Sequence, residues 1–458
     1  MLIDQRNQTF ITSVFGVILA VTSILMFTTQ STGQHVEKLL PGPAFSGVTP
    51  GPDGRLYGVT YEGGSSNSGT LYSIDPTLES VTTHVNFAGA SNGSLPYDEL
   101  IWDQATGKFY GTATSGGALG RGTVFSYTPG ASTVTVLRSD FGIANTGFPR
   151  DQPHGLVIAN GYIFGLALGF LDDVIFRMAM DGSGITVLEH LGGSRPQFLI
   201  RGQDGRLYGQ TLYGGVSCPD RPSSGCGTIY RLRAVLPGDS DLQFQVLKEF
   251  QYYNGNPCPP GDANCVSSGS VRYNFPLRLI YGSDGLLYGS TFYSLFRLNP
   301  NASNPSASIQ FIWTEGGGIN LNAIEGSDGR LYAADYAGPG LFGVGQVISM
   351  NRDGSDVSIL RTFSLSGGLT AYGPYGRLYR SPSGTIYGTS EYTVNNPDRG
   401  SIYSISSVPN TKVKVAGGNI LVGSPGEGIL LRSPSGTVCR KIAIDNTGSM
   451  TNTAVQCP

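Results

Sequence analysis

The sequence predicts an all-β protein: a seven-bladed β-propeller of four-stranded blades, followed by a small C-terminal β appendage. Three observations carry that prediction. A short motif recurs, plainest at 51–60 (GPDGRLYGVT), 202–211 (GQDGRLYGQT), 282–291 (GSDGLLYGST) and 326–335 (GSDGRLYAAD), and weaker at 105–114, 159–168 and 381–390. Its central aromatic falls at Tyr57, Tyr110, Phe164, Tyr208, Tyr288, Tyr332 and Tyr387, a mean period of 55 residues. That exceeds the WD40 period and lies near that of kelch blades. Finally, the chain has no long stretch of helical periodicity, which excludes bundles and coiled coils.

Each copy extends through four strand-like elements. The motif itself is the first. A second follows as SGTLYSI (68–74), RGTVFSY (121–127), CGTIYRL (226–232) or RGSIYSI (399–405). The third is VTVLRSDF (134–141), ITVLEHL (185–191), FQVLKEF (244–250) or VSILRTF (357–363), and the fourth, such as QFLIRG, leads into the next Asp-Gly turn. All are short, alternating and rich in β-branched or aromatic residues, as strands are. Asp-Gly supplies the positive-φ positions of a tight hairpin, and the pairs Gly63-Gly64, Gly116-Gly117 and Gly214-Gly215 mark the next reversal. A lone blade cannot bury both faces, so neighbours must stack about an axis, with the repeated Tyr between blades. Closure needs one blade built from both chain ends. HVEKLLPG (35–42) is expected to complete the blade containing 379–405.

The ordered pattern DGxLYGxT, GG, GTVFxL, VLxxF resembles the exported tandem β-propeller repeats of Gloeobacter and Verrucomicrobia. The resemblance covers about 40–409; the third, fifth and sixth units depart from it by lacking the DG, the GG or the GT. It implies an exported bacterial protein and no defined catalytic chemistry.

The termini read differently. Phe10 to Phe27 are 18 residues without a charge, preceded by Arg6 and followed by small polar residues. Residues 1–33 are expected to be a signal peptide or an N-terminal membrane anchor. The propeller then spans 34–409, and 410–458 is a disulfide-clipped β segment with turns at SPGEG, SPSG and DNTG. The six cysteines fall into close pairs, Cys218 with Cys226, Cys258 with Cys265 and Cys439 with Cys457, without zinc spacing. Local disulfides in an oxidising compartment are the reading, with neighbour pairing the simplest of the ~15 connectivities. A secreted or cell-surface location follows.

Composition narrows the function. The 458 residues include 67 Gly and 27 Pro, are 39% hydrophobic and only 13% charged, and carry a net charge of −3. Nucleic-acid binding would need basic patches to neutralise phosphates. Membrane contact would be through the N-terminal segment if it is retained. Gly89-Ala90-Ser91-Asn92-Gly93 matches GxSxG without a strand-to-helix elbow, and 338–343 matches GxGxxG without a βαβ unit. The loop from Asn351 has Thr362 where an EF-hand has Glu. Of four scattered His, His154 is the candidate to face the channel. No catalytic residue, metal site or cofactor is implied. Asn92-Gly-Ser and Asn301-Ala-Ser are glycosylation sequons.

Tyrosines supply the one hint of binding. Tyr61, Tyr213, Tyr293, Tyr336 and Tyr392 each follow the first repeated strand, which places them on one face of a propeller. A Tyr ring offers a flat apolar surface with a polar tip, suited to carbohydrate or protein. The leading reading is therefore a non-enzymatic binding or scaffold module. A lyase or glycosidase with its site at the channel mouth, and a subunit of an extracellular filament or coat, are the alternatives.

Overall fold

The computed structural model describes residues 35–141, 152–169, 172–215, 225–239, 241–250, 276–291, 294–314, 322–335, 345–363, 371–393, 399–406, 428–432, 439–444 and 450–455. They fall into two compact units, Met1–Pro409 and Asn410–Pro458. The first is a seven-bladed β-propeller. In its first blade Thr49–Pro50, Leu56–Thr60, Thr70–Ile74 and Val81–Asn86 pair antiparallel in that order. Five further blades repeat that order across 94–138, 152–192, 196–249, 276–314 and 322–362, with Ser94–Pro96 and Ile101–Asp103 sharing the inner position of the second. In the seventh, Ala371–Pro374 and Tyr379–Arg380 share the inner position, Thr385–Thr393 and Ser401–Ser406 follow, and His35–Leu39 is the outer strand. Its register runs from His35 opposite Ile405 to Leu39 opposite Ser401, so the N-terminal strand closes the ring as the sequence predicts. Among the described residues the only helical turn is Ser306–Ser308. The second unit is an antiparallel meander of Gly428–Arg432, Cys439–Ile444 and Met450–Val455.

The repeated motif is a structural lock. In the first blade Asp53 accepts the Arg55 backbone N–H at 3.1 Å through Oδ1 and the Tyr57 hydroxyl at 2.8 Å through Oδ2. Asp204 with Tyr208, Asp284 with Tyr288 and Asp328 with Tyr332 repeat the hydroxyl bond at 2.7, 2.6 and 2.6 Å. The ring itself is buried between blades, Tyr57 lying 4.6 Å from Phe109 of the second. Burial, and then the Asp53 carboxylate, push the Tyr57 phenol well above its ordinary range, which keeps it a donor. The glycine that follows the Tyr makes room for an aromatic of the next strand: a Cβ on Gly58 would lie 2.6 Å from the Tyr72 hydroxyl.

The turn differs from the expected two-residue hairpin. Gly54 is left-handed at φ 78° but Asp53 is not. The loop is closed by Gly54 N–H to Gly51 O at 3.2 Å and Gly51 N–H to Arg55 O at 2.8 Å. Asp acts through its carboxylate, as Asx turns do, and glycine alone supplies the positive φ. Where Asp-Gly is missing, other polar groups serve. Tyr110 donates to the Thr106 hydroxyl at 3.1 Å, and Tyr387 to the Pro76 carbonyl at 2.9 Å.

Candidate functional site

The seven inner strands surround the axis and enclose a cavity of about 780 Å³. Side chains alternate along a strand: Leu100, Leu156, Leu199, Leu279 and Leu378 go into the inter-blade cores. The residues just before them, Glu99, Gly155, Phe198, Arg278 and Arg377, line the cavity. Glu99 of the second blade faces two guanidinium groups from across the ring. Its Oε1 lies 3.6 Å from Arg278 Nη1 and its Oε2 3.7 Å from Arg377 Nη1. Both separations exceed a charge-assisted hydrogen bond, which closes at about 2.7–2.9 Å. Glu99 Oε1 is buried without a hydrogen-bond partner. The Arg278 guanidinium meanwhile sits 3.7 Å over the Phe198 ring centroid, a cation–π contact.

Asp98, next in sequence, is buried. It accepts the Gly155 N–H at 2.7 Å and the Thr112 hydroxyl at 3.2 Å. Burial raises its pKa, opposed by the charges of His154 and Arg278 and by those two hydrogen bonds. His154 does not face the channel. It is buried with Nε2 2.8 Å from the Pro196 carbonyl of the next blade, which makes it a tie between blades.

Four half-buried aromatic rings stand near where the chain enters the first, second and seventh inner strands. Phe45 is the hub, with centroids 5.2 Å from Tyr61, 5.5 Å from Tyr97 and 5.4 Å from Tyr375. The Tyr97 and Tyr375 hydroxyls meet at 3.1 Å, bridging blades two and seven over blade one. Burial and the neighbouring Tyr375 push the Tyr97 phenol far up, while Arg278 opposes them, so this ring lies within the field of the axial cluster. Tyr97 and Tyr375 each stand two residues ahead of a charged cavity residue, Glu99 and Arg377. An aromatic cluster thus adjoins, along two chain entries, a cavity carboxylate flanked by two guanidiniums.

Residues 22–188 match the Gloeobacter/Verrucomicrobia repeat. No curated protein sequence matches the chain. Among solved structures, virginiamycin B lyase from Staphylococcus aureus is 13% identical with a TM-score of 0.52, over 81% of this chain and 100% of that one. PorZ, an essential surface component of the type-IX secretion system of Porphyromonas gingivalis, gives 12% and 0.53 over 91% of this chain and 54% of its own. The extracellular domain of the hybrid two component system BT4673 from B. thetaiotaomicron gives 14% and 0.53, over 93% and 47%. At such identities the likeness is one of fold.

Of the five tyrosines expected to form a circle, Tyr61 belongs to the aromatic platform. Tyr213 occupies the corresponding turn of the fourth blade. The Tyr61 and Tyr213 backbone N–H groups each donate at 2.8 Å to the strand entering the same blade, at Pro43 and Ser194. Arg195 lies 5.9 Å from the Tyr213 ring. Tyr392 stands opposite Tyr372 in the seventh blade, its side chain outside the described residues, as are Tyr293 and Tyr336. Cys226 is buried and holds no free thiol; Cys218, Cys258, Cys265 and Cys457 lie outside the described residues, and Cys439 pairs by backbone with Val455. The GxSxG match is a loop pinned by a Gly89–Gly93 bridge, and Asn92 of the first sequon is buried with its Oδ1 on the Ala88 N–H. Sequence reasoning missed Phe45, Tyr97, Tyr375, Glu99, Arg278 and Arg377. The signal was present as charged residues inside apolar inner strands, at ELIW, RLIY and RLY.

Proposed function

We propose that this is an exported, surface-displayed propeller that binds carbohydrate at its axial mouth and performs no chemistry on it. One observation carries the reading: four half-buried aromatic rings pack together at the chain entries that lead, two residues on, into the cavity residues Glu99 and Arg377. Tyr and Phe faces take the apolar C–H surface of a sugar ring, and convergent charged groups take its hydroxyls. Export is supported by the uncharged stretch 10–27, by the three close cysteine pairs, which we read as local disulfides, and by the fold shared with extracellular and surface components. Glu99 is neutralised by two arginines and Asp98 is occupied by Thr112 and Gly155, so neither is poised as a base.

The test is a glycan array with the purified protein beside Tyr97→Ala and Tyr375→Ala. Saturable binding that falls at least ~10-fold in either variant, about 1.4 kcal/mol, is the expected result. A blank array overturns the reading. The enzyme alternative draws on one observation, the buried Asp98 carboxyl with its raised pKa beside the cavity. It requires that Asp98→Asn still bind the glycan but lose its turnover.

A further inference from the structure

We infer that the glycan taken at this mouth is acidic: the axial cluster fits a sugar that carries a carboxylate beside free hydroxyls, as a uronic acid does. The inference rests on the carbohydrate reading above and names its ligand class. Three features of the cluster point there. First, it is not self-satisfied. Glu99 stands 3.6 and 3.7 Å from its two arginines, outside hydrogen-bond reach, and its buried Oε1 has no donor. A buried acceptor left in this way costs about 1–3 kcal/mol unless something donates to it. The Glu99 side chain as a whole keeps 22% of its surface exposed and lines the cavity, so a ligand hydroxyl can approach the carboxylate there.

Second, the charges are unequal. Two guanidiniums face one cavity carboxylate, while Asp98 is turned into its own bonds with Thr112 and Gly155, and burial drives it toward the neutral form. Arg278 is committed to the Phe198 face, but the Arg377 side chain is 48% exposed and its one ion-pair contact among the described residues is the long one to Glu99. A guanidinium fork matches a carboxylate bidentately, which a sugar hydroxyl cannot do. Third, the aromatic platform adjoins the cation. Tyr375 and Arg377 are two residues apart on the same chain entry. A ring resting on Phe45 and Tyr375 can therefore direct its carboxylate to Arg377 and a hydroxyl to Glu99.

The experiment titrates the full chain with uronic-acid oligosaccharides (fragments of alginate, pectate and glycosaminoglycans), each beside its carboxyl-reduced counterpart. Neutral glycans are run in parallel. We expect at least one acidic form to bind ~10-fold or more tightly than its reduced form. Arg377→Gln should abolish that preference, whereas Arg377→Lys should retain part of it. Arg138→Gln, on the outer strand of the second blade, controls for general charge loss and should leave the preference intact. Equal affinity for acidic and reduced forms, or binding of neutral glycans alone, overturns the ligand class and leaves the carbohydrate reading standing. If nothing binds while the protein remains folded, that reading itself falls.

Discussion

The two ends of the propeller are built on opposite plans. At the end carrying the Asp-Gly turns the blades repeat one another. Asp53, Asp204, Asp284 and Asp328 each hold the hydroxyl of the Tyr four residues on. Carboxylates of this end sit low: Asp75, Asp181 and Asp353 are held below their ordinary range by hydrogen bonds, in the case of Asp75 from Thr77 and Ser80 against some burial. At the mouth the blades differ, and the carboxyls there go the other way. Burial raises Asp98, and it raises Asp173 to about 6. The lesson is that what recurs in this sequence holds the blades, and what fails to recur lines the candidate site. Destabilised polar groups gather where the copies diverge, as expected for functional positions.

The hardest way to break the comparison is at the repeating end. Gly209→Val puts side-chain atoms where the Tyr230 ring already lies. Overfilling a packed core costs about 1–3 kcal/mol and sometimes more. We expect the upper part of that range in a denaturant melt, with glycan affinity unchanged in whatever fraction stays folded. The same measurement on Tyr97→Ala should give the reverse, a small loss of stability and a large loss of binding.

Next in size is a pH effect confined to the mouth. Asp173 is 2% exposed, and burial raises its pKa to about 6 despite the Arg195 N–H it accepts at 2.6 Å. An acid whose folded pKa lies above its unfolded value of about 3.9 binds more protons when folded, so stability falls as pH rises through the window between the two. Above pH 6 that penalty is complete. Asp173→Asn keeps an acceptor for Arg195 without the charge. It should be more stable than the parent by about 2–3 kcal/mol at pH 7, with the gain vanishing toward pH 4. Asp75, Asp181 and Asp353 work in the opposite direction, since their depressed values lend stability above about pH 4 that is lost on acidification. A gain that is flat with pH would sink this account of the mouth.

The contrast also explains what could be read from the sequence. Seven copies of one motif determine the blades, and HVEKL matches the third-strand pattern well enough to place the closing strand opposite 401–405. The site offered no such redundancy. Phe45, Tyr97 and Tyr375 come from the first, second and seventh blades, and Glu99 meets Arg278 only because the ring closes. Tyr61 was legible because it follows a repeated strand. Its partners were not, because they stand at chain entries whose lengths vary: Phe45 lies two residues after Pro43, whereas Tyr97 and Tyr375 directly follow Pro96 and Pro374. The turn was misjudged for a chemical reason. Asp-Gly suggests two left-handed residues, but here the Asp carboxylate is spent on Tyr and on a backbone N–H.

The smallest expected effect separates the lock from its imitations. Tyr208→Phe removes one hydroxyl and leaves the ring, so it costs the Asp204 bond and the hydroxyl's contact with Tyr281, about 1 kcal/mol or somewhat more. Tyr110→Phe, in the unit where Thr106 substitutes for the Asp, removes a longer and uncharged bond of 3.1 Å and should cost less. Bonds to charged groups are worth roughly 1.5–3 kcal/mol against about 1 for neutral ones, although the turn-borne Asp is partly solvated and pulls the first figure down. Paired thermal melts decide it. If Tyr110→Phe costs as much as Tyr208→Phe, the aspartate adds nothing beyond shape. Its recurrence would then reflect turn geometry through the Arg206 N–H it accepts at 3.1 Å, and the ends of the propeller would differ less in their electrostatics than in their packing.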